Sequence, residues 1–367
     1  MTDWAAVRAQ FPALRGWTYL NTATYGQLST ASANAIQCHL AHRDDLACTD
    51  FLKWFDDVDT VRDSIGQLIG ATRADIAFLT NACSGLSLLI DGLEWKPGDR
   101  IVTLEHEFPN NLYITDLIER RGATLDIVEP DALLSALEGA RAVVCSMVNY
   151  VSGYRVPLPE LSRRCREHGT LLYIDGTQAL GGLTLDLRTT PLDMLVVHGY
   201  KWLLSPNGAA FAYVSPALRE HLKPNIVGWR SDHAWREVDA LHHGAPRYSD
   251  AAEKYEGGMV SFPNIFAMGE SVRLMLDIGP EVIESRVLSL AAYARTRFEA
   301  LGFPVQHPDS PILSVALPPT LDPSLVSRKL MEQRIVVSAR HGHLRVSAHL
   351  YNNEADVDSL TSALGNF

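Results

Sequence analysis

The chain has 367 residues, of which 47% are hydrophobic and 20% are charged, and its formal net charge at pH 7 is −11. This length and composition predict a globular protein with a large core and room for two domains. The negative charge argues against nucleic acid or an anionic membrane as a general partner, because both would repel it. No apolar run approaches the roughly 20 residues of a membrane-spanning helix, and the opening "MTDWAAVRAQFPALRG" lacks the apolar core of a signal peptide.

Short apolar runs alternate with amphipathic helical patterns between about residues 70 and 215. The predicted strands are 75–80, 99–105, 123–129, 141–148, 170–176 and 193–199. Such alternation predicts an α/β fold, with a mainly parallel sheet and helical crossovers.

The pattern changes at about residue 265. A long helical stretch is followed by a few strands and a final helix, "NEADVDSLTSALGNF". We therefore predict a large domain over 31–264 and a small α+β domain over 265–367, with residues 1–30 packing near the small domain and the active site.

The five cysteines are odd in number and widely spaced, at positions 38, 48, 83, 145 and 165. They form no Cys-x-x-Cys pair and no pattern of a disulfide framework. Such usage is typical of a reducing compartment, so we expect a cytoplasmic protein.

Ligands of parallel α/β sheets bind beyond the carboxyl ends of the strands, and two predicted strands end in candidate groups. After 75–80, "NACSGLS" with Ala82 and Cys83 opens a helix, whose free amides suit a phosphate; a simple helix cap is the alternative. After "TLLYI" come Asp175 and Gln178, a carboxylate that must be paired and an amide beside it, although Asp175 could also cap the next helix.

A third strand end carries Lys201, in "MLVVHGYKWLLSPNGAAFAYV". A strand-end lysine commonly keeps its head group in water, and that is the alternative here. A phosphate cradle, a carboxylate and a lysine on neighbouring strand ends together match pyridoxal phosphate. Its pyridine nitrogen works best protonated beside a carboxylate, and its aldehyde forms a Schiff base with a lysine.

Four segments of this sequence resemble the aminotransferase class V family of fold-type I pyridoxal-phosphate enzymes. They are "TYLNTATYGQLS", "YIDGTQALGGLTLDL", "GYKWLLSPNGAAFAYV" and "HLRVSAHLYNNEADVDSL", and they run from residue 18 to 360. The family includes cysteine desulfurases, selenocysteine lyases and isopenicillin N epimerase-like proteins.

The resemblance implies a role for each matched residue. Lys201 would bond to the cofactor, Asp175 would pair with the pyridine nitrogen, and Gln178 with the ring hydroxyl. The region of Ala82 and Cys83 would hold the phosphate, aided by His198.

The substrate side follows from the same resemblance. Arg345 would clamp the α-carboxylate, and Asn21 and Ala23 would line that pocket. The family stacks an aromatic ring on the cofactor. In "LEHEFPNNLY" either His106 or Phe108 could do so, and we favour Phe108.

This sequence also departs from the family pattern. Cysteine desulfurases carry a loop cysteine just before the C-terminal arginine segment, but no cysteine follows Cys165 here, so a loop persulfide relay is impossible. Met259 stands where a threonine that reaches the partner subunit's phosphate is expected. The histidines of "LHHG" and "HGH" fit no standard zinc spacing, and we predict no metal site.

We therefore predict a pyridoxal-phosphate enzyme that acts on a small L-amino acid or an S-substituted cysteine, by β-elimination as in a C–S lyase. An aminotransferase and an amino-acid epimerase are the alternatives. A non-catalytic protein that keeps the fold is a further one, which the presence of Lys201 and Asp175 disfavours. The resemblance also implies a homodimer with its active site at the subunit interface.

Overall fold

A computed structural model describes residues 2–367. The strands are β1 Thr18–Tyr19, β2 Ile76–Leu79, β3 Arg100–Leu104, β4 Thr124–Val128, β5 Ala142–Ser146, β6 Leu171–Asp175, β7 Met194–His198, β8 Ala210–Val214, β9 Val305–Gln306, β10 Leu313–Val315, β11 Ile335–Val336, β12 Ser338–Arg340 and β13 His343–Val346. The helices are α1 Trp4–Ala9, α2 Thr30–Leu46, α3 Phe51–Ile69, α4 Ala82–Gly92, α5 Pro109–Tyr113, α6 Thr115–Glu119, α7 Leu158–His168, α8 Pro216–Arg219, α9 Phe262–Ile278, α10 Pro280–Ala300, α11 Pro323–Glu332 and α12 Glu354–Leu364.

A seven-stranded sheet forms the centre of the fold, in the order β2-β8-β7-β6-β5-β3-β4. Adjacent strands from β7 to β4 pair in parallel, whereas β8 is antiparallel to both of its neighbours. Strands such as β5 and β7 are apolar and buried up to their last residue, Ser146 and His198, because helices cover both faces of the sheet. The predicted α/β fold with a mainly parallel sheet is confirmed.

Strand β8 reverses direction because of the connection that precedes it. Only residues 199–209 separate β7 from β8, and a parallel return needs a crossover of about a dozen residues or more. The short connection carries Lys201, so the lysine lies in a tight turn at the carboxyl edge of the sheet.

The long helical stretch predicted after residue 265 is two helices. Gly279 has φ +98° and ends α9, and Pro280 is the first residue of α10. Proline lacks the N–H that would continue α9, but suits the first turn of a new helix. Apolar periodicity runs through both helices, and for this reason the break was not predicted.

The C-terminal part has its own sheet and core. Strands β12, β13, β10 and β9 form an antiparallel sheet, and apolar residues of α10, α11 and α12 pack beside it. The short strand β1 pairs in parallel with β11, Thr18 beside Ile335 and Tyr19 beside Val336. This pairing ties the first residues of the chain to the C-terminal part; the domain limits at 30 and 264 stay a prediction.

No helix within residues 2–367 is both long and apolar enough to cross a bilayer.

Candidate active site

A cavity lies at the carboxyl edge of the central sheet, where β2, β3, β5, β6 and β7 end. It brings together most of the residues that the sequence singled out for the cofactor: Ala82, Phe108, Asp175, Gln178, His198 and Lys201. Five further residues that were not predicted also line it: Asn110, Ser146, Tyr150, Thr177 and Tyr200.

Lys201 is buried in this cavity, with 8% of its surface exposed. Its Nζ lies 5.4 Å from the ring centres of both Phe108 and Tyr200. Burial lowers the pKa of Lys201 to about 8; Asp175 opposes this shift, and nearby arginines add to it. The amine therefore gives up its proton far more readily than a surface lysine, as a nucleophile must.

The close packing around Lys201 depends on Gly26. The Gly26 N–H donates to the carbonyl of Tyr200 at 2.8 Å. A Cβ on Gly26 would lie 2.0 Å from the Lys201 carbonyl oxygen, which is far inside contact distance. This explains why a glycine follows Tyr25 in "NTATYGQ".

Asp175 is the last residue of β6 and is likewise buried. Its Oδ1 accepts a hydrogen bond from the Thr177 N–H at 2.8 Å. Burial raises the pKa of Asp175, and hydrogen bonding by Thr177 together with the attraction of Lys201 only partly opposes this. A cation closer than Lys201 would stabilise the carboxylate, as a protonated pyridine nitrogen would.

The side chain of Gln178 is held at both ends. Its Oε1 accepts from the Trp202 indole N–H at 2.9 Å, and its Nε2 donates to the Ala23 carbonyl at 2.9 Å. One amide hydrogen remains for a ligand. Gln178 thus keeps one donor for the predicted ring hydroxyl, and it links Ala23 of the N-terminal segment to the residue after Lys201.

The predicted phosphate end lies at the start of α4. Asn81 caps this helix by accepting from the Ser84 N–H at 2.9 Å, and the first-turn amides have no partner within the helix. Ala82 is buried there, whereas Cys83 is exposed and does not line the cavity.

His198 stands at the same end of the cavity with an unpartnered nitrogen. Within residues 2–367 its buried Nε2 has no hydrogen-bond partner. Burial and the charge of Lys201 lower the pKa of His198 to about 4, so the ring is neutral near pH 7. A neutral imidazole can donate one hydrogen bond to a bound anion.

The two candidates for the stacking ring differ sharply in position. Phe108 lines the cavity and packs edge-on against Tyr150, with ring centres 5.2 Å apart. His106 has a side chain that is 84% exposed. This geometry supports Phe108.

Glu107, between these two residues, was not predicted, and it is buried beneath the site. Its carboxylate accepts from the Ser146 N–H at 2.7 Å, the Ser146 hydroxyl at 2.6 Å and the Asn111 amide at 3.0 Å. Burial raises its pKa, and these donors limit the rise. Glu107 therefore positions Ser146 and the turn that carries Phe108. Glu107 and Asn111 are four residues apart, the spacing at which side chains meet across one helical turn, and the sequence could have suggested their contact.

Arg345 lies on β13 and is 2% exposed. It donates to the Tyr150 carbonyl at 2.7 Å, to the Thr24 hydroxyl at 2.6 Å and to the Ser338 hydroxyl at 3.2 Å. Burial, helped by Arg340, lowers its pKa to about 9. A buried guanidinium held only by neutral acceptors is expected to bind an anion.

The other two predicted substrate residues lie behind this arginine. Asn21 accepts from the Thr24 hydroxyl at 2.8 Å and so orients it towards Arg345. Both backbone groups of Ala23 have partners, because its N–H donates to the Ser347 hydroxyl and its carbonyl accepts from Gln178. Like Arg345, neither Asn21 nor Ala23 lines the cavity itself, and Thr24, the residue after Ala23, makes the direct contact with Arg345.

The histidines near the site form no metal centre. Residues 2–367 contain no cluster of three or more His, Cys, Asp or Glu side chains placed to hold a metal ion. His341 instead faces Tyr150, with 3.1 Å between its Nε2 and the tyrosine hydroxyl.

Comparison with known proteins decides the family. The model of the family "Aminotransferase class-V" matches residues 50–360. The chain belongs to the aminotransferase class V family. It is 28% identical over 334 residues to an isopenicillin N epimerase of Streptomyces clavuligerus, covering 83% of this chain and 82% of the relative. It is 24% identical over 332 residues to a probable cysteine desulfurase of Pyrococcus abyssi, covering 83% and 81%.

Solved structures confirm the fold. A cystine C-S lyase, crystallised with its product cysteine persulfide, superposes with a TM-score of 0.89 at 22% identity, covering 98% of this chain and 100% of that one. Aminotransferase class V proteins are pyridoxal-phosphate enzymes, and the cavity offers a group for each part of that cofactor. Lys201, Asp175, His198 and Ala82 at the start of α4 all line this cavity. In a bound cofactor, Lys201 would serve the aldehyde, Asp175 the pyridine nitrogen, and His198 with the start of α4 the phosphate.

Proposed function

We propose that this protein catalyses β-elimination from a small L-amino acid or an S-substituted cysteine, with pyridoxal phosphate as cofactor and without a cysteine relay. The observation that carries the proposal is the hairpin β12–β13, next to Arg345. It is closed by a two-residue turn, His341–Gly342, and carries no cysteine. A thiol on this hairpin would be needed to accept sulfur as a persulfide.

The residues divide the work between binding and proton transfer. Arg345 binds the α-carboxylate through its planar fork, and Thr24, Ser338 and the Tyr150 carbonyl keep that fork in place. Lys201, with its lowered pKa, takes the proton from Cα. Phe108 covers one side of the cavity and keeps water from the reacting atoms.

The bound cofactor would supply an electron sink that accepts the pair left by the Cα proton. Asp175 makes the sink effective, because its carboxylate favours the protonated pyridine nitrogen. The Cα–H and Cβ–S bonds break, and the proton taken by Lys201 ends on the leaving thiol. The released three-carbon enamine reacts with one water to give pyruvate and ammonia.

Epimerisation is the second candidate, and the identity to isopenicillin N epimerase favours it. It would return the proton to the opposite side of Cα and break no bond at Cβ. Both reactions share Lys201 and Arg345, so the outcome depends on the groups around the substrate side chain.

One experiment separates the candidates. The protein loaded with pyridoxal phosphate is incubated in D₂O with S-methyl-L-cysteine and with L-norvaline, its analogue without a leaving group. We expect pyruvate and methanethiol in equal amounts from the first substrate, and none when Lys201→Ala is used. Deuterated D-amino acid without pyruvate would instead establish the epimerase. Formation of pyridoxamine phosphate with release of a keto acid would establish an aminotransferase.

Two sequence-based expectations remain proposals. An exposed apolar patch of Ile226, Val227 and Met259, each more than half exposed, supports a homodimer in which this patch is covered. Light scattering should then give twice the chain mass, and Met259→Glu should lower it.

Five free cysteines support a reducing, cytoplasmic setting, and microscopy of a tagged protein would test it.

A further inference from the structure

The β12–β13 hairpin places two arginines on the same face. Ser338 pairs with Arg345 and Arg340 pairs with His343, on either side of the two-residue turn. His341 and Gly342 in that turn have φ +45° and +79°, as in the tight turns that match strand twist. Residues 338 and 340 share one face because side chains alternate along a strand, so Arg340 lies diagonally beside Arg345.

Both guanidinium groups converge on one hydroxyl. Arg345 Nη2 donates to Thr24 Oγ1 at 2.6 Å, and Arg340 Nη2 donates to the same oxygen at 3.4 Å. The other bond that Arg340 makes within residues 2–367 is to the carbonyl of Ala339, at 2.7 Å. Three of its five N–H donors therefore remain free.

The region beside the cavity, where Arg345 donates to the carbonyl of the lining residue Tyr150, carries an excess of positive charge. Arg340 and Arg345 both lower the pKa of Lys201, and Arg340 also lowers that of Arg345. Asp175 is the carboxylate that opposes the shift of Lys201. Every hydrogen bond that Arg340 and Arg345 make within residues 2–367 goes to a neutral carbonyl or hydroxyl oxygen. Like charges held this close cost free energy unless anions bind between them. One α-carboxylate neutralises one of the two arginines.

We propose that Arg340 forms a second anion-binding subsite beside Arg345, so that the preferred substrate is an amino acid whose side chain also ends in an anionic group. This inference rests on the proposed function, because it takes Arg345 to hold the α-carboxylate. The side-chain anion is a carboxylate or an oxidised sulfur group; both offer oxygens to a guanidinium.

The test uses ligand pairs that differ only in this charge. S-(carboxymethyl)-L-cysteine is compared with S-(carbamoylmethyl)-L-cysteine. L-glutamate is compared with L-glutamine, and this second pair has no leaving group at Cβ. Binding to the protein loaded with pyridoxal phosphate is measured by the change in its visible absorption, and elimination by pyruvate release. The variants are Arg340→Gln, Arg340→Lys and Arg328→Gln; Arg328 is an exposed arginine on α11 and serves as the control.

We expect the acidic member of each pair to bind more tightly. Arg340→Gln should weaken the acidic ligands by about ten- to a hundredfold, as expected for a charged hydrogen bond, and leave the amides nearly unchanged. Arg340→Lys should keep part of the preference, and Arg328→Gln all of it. Unchanged amide binding also shows that the variant is folded.

Two results would overturn the inference: equal binding of acid and amide by the native protein, or an equal loss of both in Arg340→Gln. The second result would mean that Arg340 serves the shared α-carboxylate. The outcome is separate from that of the proposed function. If glutamate binds more tightly than glutamine but neither cysteine conjugate yields pyruvate, the anion subsite stands and the elimination reaction is refuted. If both conjugates yield pyruvate equally well, the elimination reaction stands and the anion subsite is refuted.

Discussion

The imidazole of His349 donates a 2.8 Å hydrogen bond to the carbonyl of Trp202, the residue after Lys201. Its other nitrogen accepts from the Leu350 N–H at 2.6 Å, so the neutral ring is satisfied at both ends. His349 has no exposed surface. The C-terminal part of the chain thereby holds the turn that presents the lysine.

We expect His349 to make the fold sensitive to acid. Burial lowers its pKa from 6.5 to about 4, so the unfolded state binds more protons between these values. The stability that this group contributes is complete above pH 6.5 and is lost as the pH falls towards 4, up to about 3 kcal/mol. Urea unfolding of the native protein and of His349→Gln, at pH 7 and pH 5, tests this. The free energy of unfolding of the variant should change less between pH 7 and pH 5 than that of the native protein. An equal change in both proteins would contradict the expectation.

The pKa of Lys201 predicts how the protein takes up its cofactor. Only the neutral amine attacks an aldehyde, and with a pKa of about 8 its fraction at pH 7 is roughly a tenth, against well under a hundredth for an ordinary lysine. The rate of pyridoxal phosphate capture by the apoprotein should therefore rise with pH and level off above a midpoint near 8. Stopped-flow absorption measures this. A rate still rising steeply at pH 10 would show that the lysine is not desolvated, and Lys201→Ala is the blank.

Phe108 and His106 form a matched pair for the stacking position. Phe108→Ala should weaken pyridoxal phosphate binding by about two- to tenfold, the range expected for loss of one aromatic contact. His106→Ala removes an exposed ring and should leave the affinity for pyridoxal phosphate unchanged. Titration of the apoprotein with the cofactor gives both affinities, and the opposite order of effects would assign the role to His106.

Gly26 is predicted to be indispensable for the position of Lys201. In Gly26→Ala the new methyl group meets the Lys201 carbonyl, so the N-terminal segment or the lysine turn must move. We expect a large loss of cofactor binding and a lower melting temperature. Gly365→Ala, after the last helix, is the control, since a Cβ there meets nothing closer than 3.6 Å and the backbone is unstrained. Similar behaviour of the two variants would refute the close packing described here.

Much of the site was predictable because its residues follow strands. Asp175, His198 and the start of α4 come directly after apolar runs, and parallel strands bring such ends to one edge. The alternation of apolar runs with amphipathic helical patterns was likewise enough to predict the mainly parallel sheet. Local patterns carry less information about helices that pack on one another, and the break at Pro280 was missed for that reason.

The residues that escaped prediction act through contacts between distant parts of the chain. Thr24 lies in a polar loop, and nothing local indicates that its hydroxyl accepts from two arginines. The role of Arg340 depends on the register of the hairpin, which sets it beside Arg345. Two arginines on either side of "HGH" were the available signal, since a two-residue turn would place them on one face.

The contact between Thr24 and Arg345 has a consequence for biosynthesis. The anion pocket joins Thr24 to Arg345, two residues separated by 321 positions. A nascent chain that ends before residue 338 already contains the lysine turn and the start of α4, but lacks every arginine of this pocket. Contacts of such long sequence separation form late in folding. We therefore expect substrate recognition to be acquired late, and premature termination products to be unable to bind an amino acid even where they can still take up the cofactor.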